Sequence, residues 1–141
     1  FRPIINGHFN IPKNYKNPYI VGLCGGVCHW VFVRGSIASV TISAANAYID
    51  MSAEEIAKLM WPEICNVLNL GGIDIRAYRI LKEKRATFAQ TPVQLTLRPK
   101  PQTKWPNLVL AGDWIDTGLP ATIEGSLKSG VVASKLILNQ L

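Results

Sequence analysis

Gly112, Asp113 and the run Leu119-Pro120-Ala121-Thr122 together offer a close approach, a carboxylate and a helix start, the groups of this chain best suited to hold a ligand. The apolar "NLVLAG" reads as a short buried strand that stops at Gly112, where a missing side chain permits close approach of other atoms. Asp113 offers a carboxylate that accepts hydrogen bonds from hydroxyls. A helix is expected from about Ala121 to Asn139, with Pro120 suited to its first position and Leu119 unable to supply a capping oxygen. Unpaired amides and a partial positive charge at such a helix start suit an anionic or carbonyl oxygen, although Thr117 could cap an earlier start locally. The combination suits a hydroxylated chain ending near a polarised carbonyl. Trp114 stands either beside such a ligand or at a packing seam, and Glu124 falls where a carboxylate favours the helix dipole.

Positioning that site requires a helix resting on a sheet. Ile123, Leu127, Val131, Ile137, Leu138 and Leu141 mark its apolar positions. Gly125, Ser126, Ser129, Gly130, Ala133 and Ser134 keep its waist narrow. Upstream, strands are expected at Ile4 to Ile11, Tyr19 to Leu23, Val27 to Val33 and Ile37 to Ser43, with Pro12 to Pro18 a polar connection and Gly25-Gly26 a hairpin turn. Successive strands imply an antiparallel sheet. Ser52 and Glu55 form an S-x-x-E capping box ahead of a helix bearing Ile56, Leu59, Met60, Ile64, Val67 and Leu68. Pro62 should kink that helix or divide it in two. "IDIRAYRILKEKRATF" reads as a further strand, and Thr91 to Pro106 as a linker rich in Pro, Gln, Thr and Lys. The fold class is therefore α+β.

Composition narrows the field. At 141 residues, 48% apolar and 17% charged, the chain can bury a core and is not disordered. No apolar run reaches the length of a membrane span and no signal peptide is evident, so a cytoplasmic or peripheral location is expected. The start at Phe1 reads as a point inside a larger protein. Cys24, Cys28 and Cys65 are odd in number and irregular in spacing, which argues against a disulfide framework. "CGGVCH" has one residue too many for haem attachment, and no second pair of zinc ligands accompanies it, so no metal is expected. His8 and His29 lack sequence-local partners and read as structural.

The net charge of +6 is uneven: Arg76, Arg79, Lys82, Lys84, Arg85, Arg98, Lys100 and Lys104 face one acid, Glu83. Such a stripe meets nucleic acid, an anionic membrane or a phosphorylated cofactor, or is simply a solvated face. Only Tyr78 and Phe88 supply aromatics there, which does not favour nucleic acid. Peripheral contact with anionic lipid remains an expectation.

"LVLAGDWIDTGLPATIEGSLKSG" resembles the C-terminal flavin motif of the flavin amine oxidase and phytoene desaturase superfamily. With "KEKRATFAQTP" and "GGVCHWVFVRG", it is most similar to the squalene-associated FAD-dependent desaturase branch, the hydroxysqualene dehydroxylases of hopanoid biosynthesis. The resemblance implies FAD as cofactor, with Gly112, Asp113, Trp114, Leu119, Pro120, Ala121 and Thr122 as cofactor-binding residues. The position of Asp113 corresponds to a contact with the ribityl or diphosphate part, and the helix start to the pyrimidine edge. It implies residues 1–90 as part of a substrate domain, 91–106 as a crossover, and 107–141 as the last strand and C-terminal helix of a Rossmann-like FAD-binding domain. Trp30 and Phe32 would then border a tunnel for a polyisoprenoid, or else belong to an ordinary strand core. No catalytic residue is singled out.

One departure is large. The G-x-G-x-x-G fingerprint is absent: "GLCGG" has the wrong spacing and "NLGGID" precedes no phosphate-binding helix. The N-terminal FAD-binding portion is therefore expected upstream of Phe1, and the chain alone should be inactive and bind FAD weakly or not at all. Reductive dehydroxylation of hydroxysqualene is the leading expectation, with a desaturase, an amine oxidase and a non-enzymatic membrane- or RNA-binding module as alternatives.

Overall fold

The computed structural model describes residues 1–139, which divide into two compact units, Phe1–Ala86 and the segment from Thr87 onward. The first is α+β. It contains β1 (Arg2–Gly22), β2 (Trp30–Ile42), α1 (Ala53–Leu68) and most of β3 (Tyr78–Thr87). The sheet order is β2-β1-β3, and β1 runs antiparallel to β2.

Alternation decides which face is covered. Ile5, Phe9, Val31, Val33, Ala38, Val40 and Ile42 are buried on one side of the ribbon and meet Ile56, Met60, Trp61 and Ile64 of α1. Each large aliphatic side chain so buried contributes about 1.5–3 kcal/mol. Gly7 lies on this face, and a Cβ there would stand 2.6 Å from Met60 Sδ, so the glycine lets the helix approach the sheet. Trp61 Nε1 donates to Ile73 O at 2.7 Å, tying the segment after α1 to its core.

Several boundaries differ from expectation. Pro12 to Pro18 belongs to β1 rather than to a connection. Its prolines cannot donate to a ladder, and the register with β2 shifts between Asn10 and Tyr15 and again between Tyr15 and Tyr19. Gly35, at φ +58, stands opposite Tyr15 and absorbs part of that irregularity, so two expected strands merge into β2. The turn is wider than a Gly-Gly hairpin. Leu23 N donates to His29 O at 2.9 Å, and the loop between is held by Glu63, whose carboxylate accepts from Val27 N and Cys28 N at 2.8 and 2.9 Å.

The Ser52–Glu55 capping box forms as expected. Pro62, however, does not divide α1. It is exposed, as is Lys58 one turn earlier, so water can serve the carbonyl that loses its amide partner.

The second unit contains α2 (Pro92–Thr96), inside the stretch expected to be a linker, and α3 (Ile123–Leu138). "NLVLAG" forms no extended strand among the described residues. Val109 makes a single antiparallel bridge to Gln102 and Leu108 is exposed, because no neighbouring strand among the described residues completes a ladder. Leu141, expected on the apolar side of α3, lies outside the described residues. Among those residues no helix is long and apolar enough to cross a membrane.

Candidate functional site

Arg98 organises the loop that carries Asp113 and Trp114. Its guanidinium donates to the carbonyls of Leu119 (2.6 Å), Asp113 (2.8 Å), Trp114 (3.4 Å) and Ile115. Its plane also stands 5.8 Å from the Phe88 ring. A planar fork with five donors can satisfy four diverging carbonyls at once, more than the three donors of a lysine can. By sequence Arg98 is one of eight basic residues in a charged stripe, set apart only by its place directly before Pro99; the structure half-buries it. Lys82 departs from the stripe in the same way in the first unit, donating to the carbonyls of Ile49 and Met51.

The loop is further shaped by short-range turns. Asp116 Oδ1 accepts from Gly118 N and Thr117 Oγ1 from Leu119 N, both at 3.3 Å, with Gly118 at φ +74. Gly112, at φ +151, donates its amide to the buried Ser129 hydroxyl at 2.8 Å. A Cβ at Gly112 would lie 2.5 Å from Trp114 Nε1. The glycine thus lets the indole fold back over the chain.

Helix α3 begins later than expected and is capped. Thr122 is its N-cap and accepts from Gly125 N at 3.2 Å, so Pro120 precedes the helix rather than starting it. The amide of Ala121 donates to Gln90 Oε1 at 3.0 Å, and that of Leu119 is held by Thr117. The expected uncapped mouth at 119–122 is therefore largely filled by protein. Among the described residues, the amides of Ile123 and Glu124 have no protein acceptor. The half-buried Asp113 carboxylate likewise has no bonded donor among them. Free amides of this kind can meet a carbonyl or anionic oxygen, and a free carboxylate can meet hydroxyls. A hollow of about 300 Å³ beside the loop is walled by Gln90, Leu95, Arg98, Asp116, Leu119 and Pro120.

Trp30 and Phe32 lie in the first unit. Trp30 pairs with Gly22 and Phe32 with Ile20, on the face opposite the buried Val31 and Val33. Both are substantially exposed, at 48% and 40%, which removes the reading of them as ordinary strand core within this chain. His8 Nδ1 and Ser39 Oγ lie 2.9 Å apart across β1 and β2, and His29 Nδ1 accepts from Ser43 N at 3.0 Å, so each histidine has a structural partner. Burial, then the neighbouring Glu63 carboxylate, pushes the Cys28 thiol well above its ordinary range.

The profile described as flavin containing amine oxidoreductase matches residues 33–138. A hydroxysqualene dehydroxylase from Rhodopseudomonas palustris is 46% identical over 138 residues, covering 98% of this chain and 33% of that protein. Proteins of the same name from Sinorhizobium fredii and Zymomonas mobilis are 41% and 42% identical, each over 99% of this chain and 33% of their own length. The chain thus spans about a third of the curated relatives it matches.

Proposed function

Because the chain belongs to the flavin containing amine oxidoreductase family, we propose that it is the C-terminal part of an FAD-dependent oxidoreductase that reduces hydroxysqualene to squalene. The identity of 41–46% along nearly the whole chain to proteins named for that dehydroxylation carries this reading.

In this proposal residues 1–90 belong to the substrate domain, 91–106 cross over, and 107–141 complete a Rossmann-like FAD-binding domain whose diphosphate loop lies in the rest of the polypeptide. The exposed Ile123, Leu127, Val131 and Leu138 of α3 support packing against that further protein. Gly112 admits the cofactor backbone closely, and Asp113 accepts from its hydroxyls. Leu119 and Pro120 wall the site, while Ala121 and Thr122 set where α3 begins. The helix start, with Ile123 and Glu124 amides, holds the carbonyl edge and favours negative charge there. Trp114 covers the site from the side of Gly112. A reduced flavin held there would supply a hydride to the substrate carbon, and the departing hydroxyl would leave as water after taking up a proton from solvent. The exposed Trp30, Phe32 and Ile20 offer an apolar wall to a long isoprenoid. The enzyme would be cytoplasmic and touch the membrane peripherally to collect such a substrate.

The test is to express the full polypeptide, load it with FAD, and supply hydroxysqualene with a reductant anaerobically. Stoichiometric flavin and squalene formation are expected. A flavoprotein that instead oxidises an amine or desaturates a polyene would overturn the substrate assignment, and one that takes up no flavin would overturn the whole reading.

A further inference from the structure

We infer that Arg98 is the positioning residue of the cofactor site, a cationic clamp that fixes the loop from Asp113 to Leu119 through its backbone. Four carbonyls of that loop, those of Asp113, Trp114, Ile115 and Leu119, converge on one guanidinium. Among the described residues no carboxylate is paired with it. Its half-buried charge is therefore met by peptide dipoles and by the Phe88 ring. Asp116 N adds a bond to Pro99 O at 2.9 Å, so the clamp and the residue after it grip the loop from both sides of one peptide. Carbonyls drawn toward Arg98 fix the orientation of the peptide planes that carry Asp113 and Trp114. Loss of the clamp frees those planes together.

This inference rests on the proposed flavin reading for its functional half only. Two variants separate geometry from charge. Arg98→Met keeps a long side chain without donors, and Arg98→Lys keeps the charge on a single nitrogen that cannot span four diverging carbonyls.

In the full polypeptide, hydrogen exchange of the 114–119 amides should quicken by about tenfold or more in both variants, while the amides of α1 stay unchanged. FAD affinity should fall by a comparable factor in both, with circular dichroism preserved. Were Arg98→Met to misfold, Arg98→Lys carries both measurements. Unchanged exchange in the loop would overturn the clamp. Wild-type affinity in Arg98→Lys would overturn the geometric role in favour of charge alone. Faster exchange with unaltered FAD affinity would overturn the link to the cofactor. A wild-type protein that binds no FAD would overturn the proposed function and that link, and the exchange data would still decide the clamp.

Discussion

The buried hydroxyl of Ser129 accepts the amide of Gly112 at 2.8 Å, joining the second turn of α3 to the glycine ahead of Asp113. The same hydroxyl donates to Ser126 O at 2.7 Å, so both of its roles are filled. Ser129→Ala would strand the Gly112 amide at a cost of about 1–3 kcal/mol. Faster hydrogen exchange at Gly112 is the expected observation in the full polypeptide, together with weaker FAD retention on gel filtration. Exchange at wild-type rate would show that the bond contributes nothing.

Gly112→Ala should be more damaging than its single methyl suggests. The added carbon would meet Trp114 Nε1 at 2.5 Å, at a φ of +151 that residues with side chains rarely adopt. The indole must swing away. Trp114 emission should shift relative to a Trp114→Phe control, and flavin content should drop by about tenfold if the loop shapes that site. Unaltered emission and flavin content would remove Gly112 from the site.

Thiol chemistry offers a test in the first unit. Cys24 is exposed, whereas Cys28 is buried beside Glu63 with its thiol pushed far toward the neutral form. At pH 8 one cysteine-specific reagent should modify Cys24 rapidly and leave Cys28 untouched until the protein unfolds. Glu63→Gln removes the carboxylate that accepts from Val27 and Cys28, and should expose Cys28 to slow modification. Peptide mass mapping after timed alkylation distinguishes the two sites.

The start of α1 should respond to acid. Hydrogen bonds from Ser52 hold the Glu55 carboxyl below its ordinary range. A depressed folded-state value means that the stabilisation is present above the unfolded carboxylate value and is lost as pH falls through the lower one. Ser52→Ala should therefore speed exchange of the first-turn amides several-fold near neutrality, about fivefold by the usual worth of a cap. As pH falls through the lowered value of Glu55, the contrast attributable to its carboxylate should vanish. An equal contrast above and below that value would exclude the carboxylate's part.

Much of this was legible in the residues. Ser52 and Glu55 announced their helix because a capping box is local, requiring nothing beyond three residues of chain. The stretch Ile4 to Ile11 likewise read as strand, and it lies within β1. Of the two readings of Pro62, a division of the helix fails because the cost of a helical proline depends on whether water reaches the orphaned carbonyl, which sequence does not reveal. "NLVLAG" misled for a related reason, since a strand needs a partner and its apolar side chains say nothing of whether one is present. At the candidate site, Gly112 and Asp113 could be picked out by type. The Thr122 cap was overlooked because Pro120 drew the expected start of α3 two residues too early. Arg98 was harder still: its partners are backbone carbonyls 15 to 21 positions away, and carbonyls leave no mark in a sequence.

The two register shifts in β1 divide that long strand into stretches of independent phase. An insertion or deletion of one residue among Ile5 to Phe9 would turn over the side chains from there to the first shift and take Phe9 out of the core. Between Asn10 and Tyr19 the same change can be taken up where pairing is already irregular, leaving Ile20 opposite Phe32. The middle of the ribbon can therefore absorb a change in length while Trp30, paired with Gly22 beyond it, keeps its outward aim.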